Sequence, residues 1–159
     1  MYVFLGDGSY LMMPSEIVTS VQEGVKLIIV LVDNHGFASI GGLSRSLGQH
    51  GFGTSYRRRG ADTGQLDGEV LRVDFAANAE SLGAHALKAS NVAELRQALA
   101  KAKTLDHTTV IVVETDTSEK VPGYESWWDV AVAEVSGSES VREARAAYEE
   151  ARKKERYHL

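Results

Sequence analysis

The sequence predicts an α/β fold, a parallel β-sheet flanked by helices on both faces. Three observations predict it. The apolar run at 27–32 is unbroken, as a strand buried on both faces requires, and 108–113 reads as another buried strand. Strand-like and helix-like segments alternate in the order β-α-β-(long loop)-α-β-α-β-α-α, which argues for parallel strands joined by crossover helices. Asp7 and Asn34 stand just past the first two strands, 27 positions apart. Parallel strands would carry both to the same carboxyl edge, where open α/β sheets bind ligands.

Residues 2–5, Tyr-Val-Phe-Leu, read as the first strand, and 6–8 as a tight turn. Pro14 suits the first turn of a helix, where its missing N–H costs nothing, and Glu16 adds an acidic group near that positive end. Ile17, Val18 and Val21 continue this helix and Gly24 ends it. After the strand at 27–32, residues 34–68 hold nine glycines and little periodicity; a loop region this long is functional or mobile, and 41–68 is the part expected to move. Regular structure returns at 71–73, followed by a helix at 75–82 and a short strand at 84–87. Val92, Leu95, Leu99 and Ala102 mark an amphipathic helix by their spacing. A strand at 108–113 follows, then a helix opened by Trp127 and Trp128, and a charged helix at 139–156 with Val141, Ala144, Tyr148 and Ala151 on one thin stripe.

The 159 residues fit one domain, 1–159, with 138–159 as a peripheral C-terminal helix. The chain opens directly on a buried-type strand, so it reads as a C-terminal fragment of a longer enzyme. Net charge is −5, from 22 acidic and 17 basic side chains, which argues against nucleic-acid binding. No apolar stretch approaches the roughly 20 residues of a membrane span, and no signal peptide is visible. The absence of cysteine excludes disulfides and thiolate metal sites and fits a reducing cytoplasm.

Gly6-Asp7-Gly8-Ser9 and Asp33-Asn34-His35-Gly36 are the segments that carry chemistry. Mg²⁺ takes six oxygens and shares them with substrate phosphates, so a protein needs few donors of its own. Asp7 offers a carboxylate, Asn34 a side-chain carbonyl and Gly36 a backbone oxygen; Gly8 and Ser9 offer N–H groups ahead of a helix. There is no GxxxxGK[ST] motif, and the third glycine of a dinucleotide fingerprint is missing. Asp7 would repel a pyrophosphate unless a metal neutralised it, which favours a metal-bridged diphosphate.

Gly-Asp-Gly followed after 25–30 residues by Asn resembles the signature of thiamine diphosphate-dependent enzymes. The resemblance covers residues 2 to about 130, with its decisive residues between 6 and 36. It implies the thiamin diphosphate-binding fold and the domain that grips the cofactor's diphosphate through Mg²⁺. Asp7, Asn34 and Gly36 would be metal ligands, and Gly6, Gly8, Ser9, Asn34 and Gly36 would line the cofactor. The run from Asp33 to Arg45 is similar to the trihydroxycyclohexanedione hydrolase branch of myo-inositol breakdown. Such an enzyme adds the thiazolium ylide to one carbonyl of a cyclic 1,2-dione, breaks the neighbouring C–C bond and opens the ring with water. Acetolactate synthase-like carboligation or 2-keto acid decarboxylation is the alternative reaction, and a non-catalytic scaffold the alternative of another class. The family's catalytic glutamate sits on a pyrimidine-binding domain to which nothing here corresponds. The resemblance therefore implies that domain as partner, a homo-oligomer, and no turnover by this chain alone.

His35 and His50 lie in the loop zone. His35 is the candidate for a substrate role, because it follows a predicted metal ligand. His85, His107 and His158 read as structural or exposed, with no constellation around them. Arg57, Arg58 and Arg59 could receive a carboxylate product but read better as a solvated run. Trp127 and Trp128 read as packing residues.

Overall fold

The computed structural model describes residues 1–117, 119 and 129–156. In chain order these form β1 (Tyr2–Gly6), α1 (Asp7–Met12), α2 (Glu16–Gln22), β2 (Ile28–Asp33), α3 (Ala38–Ser46), α4 (Phe75–Ser81), β3 (His85–Ala89), α5 (Val92–Thr104), β4 (Thr109–Glu114) and α6 (Glu139–Arg152). The strands make one parallel sheet in the order β1-β2-β4-β3. The segments at 27–32 and 108–113 supply its centre, β2 and β4.

Alternation along these strands divides the core into two layers. Ile29 and Leu31, with Val110 and Val112, face Tyr10, Ile17, Phe75, Ala76 and Ala79 of α1, α2 and α4. Ile28 and Ile111 face the other way, onto Ala98 and Ala102 of α5. Tyr10 ties the first layer together: its ring meets Phe75 edge-on at 5.6 Å and its hydroxyl donates to Asn78 Oδ1 at 2.8 Å. At the amino edge of the sheet the buried hydroxyls of Ser20 and Thr108 satisfy one another at 2.8 Å.

Register fixes the opposite edge. Gly6 lies level with Val32, and Asp33 with Glu114. The residue after β1 and the residues after β2 thus emerge side by side.

Several elements depart from the sequence expectations. Residues 6–8 are no simple turn, because α1 begins at Asp7 itself. Pro14 lies in the bend before α2, and its carbonyl accepts from Ile17 N at 3.1 Å. The expected loop at 34–68 contains α3, nine residues long, with two glycines and three serines that depress helix propensity and hide its period. The segment at 71–73 forms no strand, β3 starts one residue later than expected, and α6 ends at Arg152. The apolar stripe of α6 is packed: Val141 and Tyr148 are buried with Val132 against Leu47. Trp127, Trp128 and His158 lie outside the described residues. Among the described residues no helix is long and apolar enough to cross a membrane.

Candidate functional site

The turn from β1 into α1 puts Asp7 on the first residue of that helix, fully buried. The turn out of β2 brings Asn34 and Gly36 alongside. Gly36 N–H donates to Asp7 Oδ2 at 2.8 Å. The Asn34 amide has two orientations related by a half-turn. With nitrogen inward it donates to Asp7 Oδ1 at 3.1 Å and to Gly36 O at 2.8 Å. With oxygen inward the same place holds three oxygens facing one another, an arrangement that only a cation stabilises. Gly6, Asp7, Gly8, Ser9, Asn34 and Gly36 all line one cavity of about 210 Å³. The structure therefore brings together every residue that the sequence assigned to cofactor and metal.

Close approach explains two of the glycines. A Cβ on Gly36 would stand 2.3 Å from Thr54 O, because residues 54–56 run antiparallel against 35–37. Phe37 N–H donates to Thr54 O at 2.8 Å and Tyr56 N–H to His35 O at 3.3 Å in that contact. A Cβ on Gly8 would meet the Phe37 ring at 2.6 Å.

His35 has φ of 59°, a left-handed conformation rare for a residue with a side chain. Its ring lies between two carboxylates. Nδ1 lies 3.3 Å from Asp33 Oδ1, and Nε2 3.1 Å from Glu114 Oε1. Its ring borders two neighbouring cavities, one shared with Arg45 and Arg57, the other with Asp33 and Glu114. Burial pushes the Asp33 carboxyl up; the His35 N–H and imidazole pull it down, and the charge of Asp7 adds to the rise. His50 lines a separate cavity with Phe52 and Leu66. Arg57 Nη1 donates to Gly68 O at 3.0 Å, and Arg59 Nη1 to Gly64 O. Glu16 sits in the first turn of α2 as a helix-start charge.

Sequence reasoning missed Tyr56, whose buried hydroxyl has no hydrogen-bond partner among the described residues. Burial, then the charges of Asp7 and Asp33, push its pKa well up and keep it protonated. No spacing signal could have found it, since it reaches the site through the fold-back of 54–56. Asp33 and Glu114, which hold His35, were legible only as strand ends.

Residues 1–114 match the family described as thiamine pyrophosphate enzyme, C-terminal TPP binding domain. Among curated proteins, the chain is 44% identical over 148 residues to 3D-(3,5/4)-trihydroxycyclohexane-1,2-dione hydrolase 1 of Bacillus cereus, covering 93% of this chain and 22% of that protein. It is also 44% identical over 143 residues to the 3D-(3,5/4)-trihydroxycyclohexane-1,2-dione hydrolase of Clostridium botulinum, covering 90% and 22%. The chain thus spans about a fifth of the length of these relatives. Among solved structures, thiamine diphosphate-dependent 4-hydroxybenzoylformate decarboxylase of Rhodococcus jostii RHA1 superposes with a TM-score of 0.58 at 22% identity, over 75% of this chain and 20% of that one. Benzoylformate decarboxylase of Polynucleobacter necessarius gives 0.58 at 24%, with the same coverage. Those two likenesses speak to the fold. By its matched residues the chain belongs to the thiamine pyrophosphate enzymes, in the part that forms their C-terminal cofactor-binding domain.

Proposed function

We propose that the chain is the diphosphate- and Mg²⁺-binding domain of a thiamine diphosphate-dependent hydrolase. The complete enzyme would open the ring of trihydroxycyclohexane-1,2-dione in myo-inositol breakdown, as a cytoplasmic homo-oligomer. One observation carries the metal assignment: the Asn34 amide stands 3.1 Å from Asp7 Oδ1 and 2.8 Å from Gly36 O. Ligands at about 2.0–2.1 Å around an octahedral Mg²⁺ place neighbouring oxygens about 2.9 Å apart. With its oxygen inward, Asn34 would hold the ion together with Asp7 and Gly36. Diphosphate oxygens and water suit the remaining positions.

The chain's own groups divide the work. Gly36 N–H holds the second oxygen of Asp7, so the carboxylate keeps one orientation. Gly6, Gly8 and Ser9 would contact the diphosphate, with N–H groups at the start of α1 turned toward it. The cofactor, when bound, supplies the carbanion chemistry for C–C cleavage, and the protein orients it. His35, fixed between Asp33 and Glu114, would handle a substrate proton beyond the metal shelf. The 44% identity to the dione hydrolases supports ring opening over the decarboxylation named in the 22–24% structural neighbours.

The test is calorimetric titration of thiamine diphosphate into the complete enzyme, with and without Mg²⁺, beside Asp7→Ala. Binding that needs Mg²⁺ and is lost in the variant, with an unchanged circular dichroism spectrum, is the expected result. Unaltered affinity in Asp7→Ala would remove the metal role. Turnover of 2-keto acids but not of the cyclic dione would remove the substrate assignment.

A further inference from the structure

At the other end of the sheet, far from the diphosphate shelf, three side chains that the sequence showed as unrelated come together. His85 opens β3, and Asp106 and His107 form the turn that feeds β4. His85 Nε2 stands 3.1 Å and His107 Nδ1 2.7 Å from the same oxygen, Asp106 Oδ1. The two imidazoles stack with centroids 4.0 Å apart and planes at 26°. One ligand atom from each residue falls within 4.8 Å of the other two, the one such group among the described residues.

We propose that His85, Asp106 and His107 form a second metal site, for a borderline transition ion of the Zn²⁺ class. Two imidazoles and one carboxylate are the donors that Zn²⁺, Ni²⁺ and Cu²⁺ prefer, whereas Mg²⁺ prefers an all-oxygen shell. Tetrahedral Zn²⁺ with ligands at about 2.0–2.1 Å needs them roughly 3.3 Å apart. The His85–Asp106 separation of 3.1 Å already approaches this, and the one at 2.7 Å must open slightly. Asp106 is free to make that adjustment, since its side chain is 83% exposed. Each ring must carry its proton on the nitrogen that faces away, leaving a lone pair on His85 Nε2 and His107 Nδ1, and the stacked pair must unstack by a turn of one ring so that both lone pairs meet at the ion.

The backbone around the site is already set. His85 lies level with Thr109 and its N–H donates to Thr108 O at 2.9 Å. Lys26 Nζ donates to Lys103 O at 2.8 Å and Leu105 O at 2.5 Å, pinning the turn from below. The ion would therefore bind a prepared rim and leave its remaining position to solvent. A strand of five residues separates this rim from the carboxyl edge, about 16 Å at the rise of a parallel strand. The ion's role is then structural, clamping the start of β3 to the turn before β4.

The test uses Zn²⁺ alone, titrated by calorimetry into the chain without cofactor, beside Asp106→Asn and the double variant His85→Ala/His107→Ala. One equivalent should bind the parent, and both variants should weaken it by at least about tenfold, as loss of a ligand does. Zn²⁺ should raise the thermal midpoint of the parent and not of the double variant, because an ion that binds only the folded chain stabilises it. Co²⁺ should give the visible absorption of a tetrahedral site. His35→Ala should keep the Zn²⁺ affinity, which separates this rim from the Asp33–His35–Glu114 group. Equal binding by parent and double variant, or none by a folded parent, overturns the proposal. Asp106→Asn retains the shape of the turn, so it decides the matter should the double variant fail to fold.

Discussion

At the scale of the residue, the candidate site rests on contacts that single substitutions can separate. Asn34 donates to, or shares a cation with, Asp7 and Gly36. Asn34→Ala removes two hydrogen bonds, each worth about 1 kcal/mol net, but also removes a proposed ligand. We expect stability to fall by no more than about 2 kcal/mol in urea unfolding on that principle, while Mg²⁺-dependent cofactor affinity of the complete enzyme falls far more. Equal, small losses in both would make Asn34 a loop cap. Gly36→Ala probes the fold-back of 54–56. Its Cβ would stand 2.3 Å from a backbone oxygen, Thr54 O, that cannot swing aside like a side chain. Strain of this kind costs about 1–3 kcal/mol, and a urea midpoint equal to the parent's would mean that the two segments do not pack as described.

At the scale of the element, caps decide where the helices begin. Asn91 accepts from Glu94 N at 3.0 Å, and Glu94 Oε2 accepts from Ser90 N at 2.8 Å, a reciprocal cap on α5. Asn91→Ala should lower unfolding stability by about 1 kcal/mol, with Asn91→Asp largely neutral. Asp74 caps α4 through Ala77 N at 3.1 Å and pairs with Lys88 at 3.3 Å. The Ala77 N–H, then Lys88, hold its carboxyl below the usual range. A depressed carboxyl stabilises the fold above the unfolded value of about 3.9 and loses that contribution as pH falls toward the folded value. Asp74→Asn should therefore lower the neutral plateau slightly and flatten the acid limb of a pH–stability profile, the two proteins converging at low pH. A parallel acid limb in both proteins would remove Asp74 from that account. The same elements show what a sequence can carry. β2 was legible because burial on both faces demands an unbroken apolar run, β4 because 110–113 repeats that pattern, and α5 because one wet face leaves a period. α1 and α3 were not, since short segments rich in glycine and serine hold their shape through neighbours such as Phe37 and Thr54, which no local pattern encodes.

At the scale of the whole molecule, a parallel sheet has two chemically distinct ends, and the sequence disclosed only one of them. Asp7, Asn34 and Gly36 were legible because each follows a strand directly, so topology alone carries them to the carboxyl edge. His85 and His107 were not, because what joins them is the register of β3 on β4, and neighbouring strands of the sheet are not neighbours in order along the chain. This arrangement also separates binding from turnover. The proposed Mg²⁺ ligands and diphosphate contacts all lie within residues 6–36 and line one cavity of this chain. Cofactor binding should then survive in the 159-residue chain, weakened but still dependent on Mg²⁺. Turnover is another matter, because the chain covers 22% of the length of the dione hydrolases, and the family resemblance implies that the cofactor's aminopyrimidine is worked by a glutamate on a separate domain. We expect the chain alone to bind thiamine diphosphate and leave the cyclic dione unchanged, and to gain activity when the complementary domain is added in trans. Calorimetry and a product assay on the same sample check both halves. Turnover without the added domain would place the missing acid–base group on this chain, and His35, braced between Asp33 and Glu114, would be the first residue to substitute.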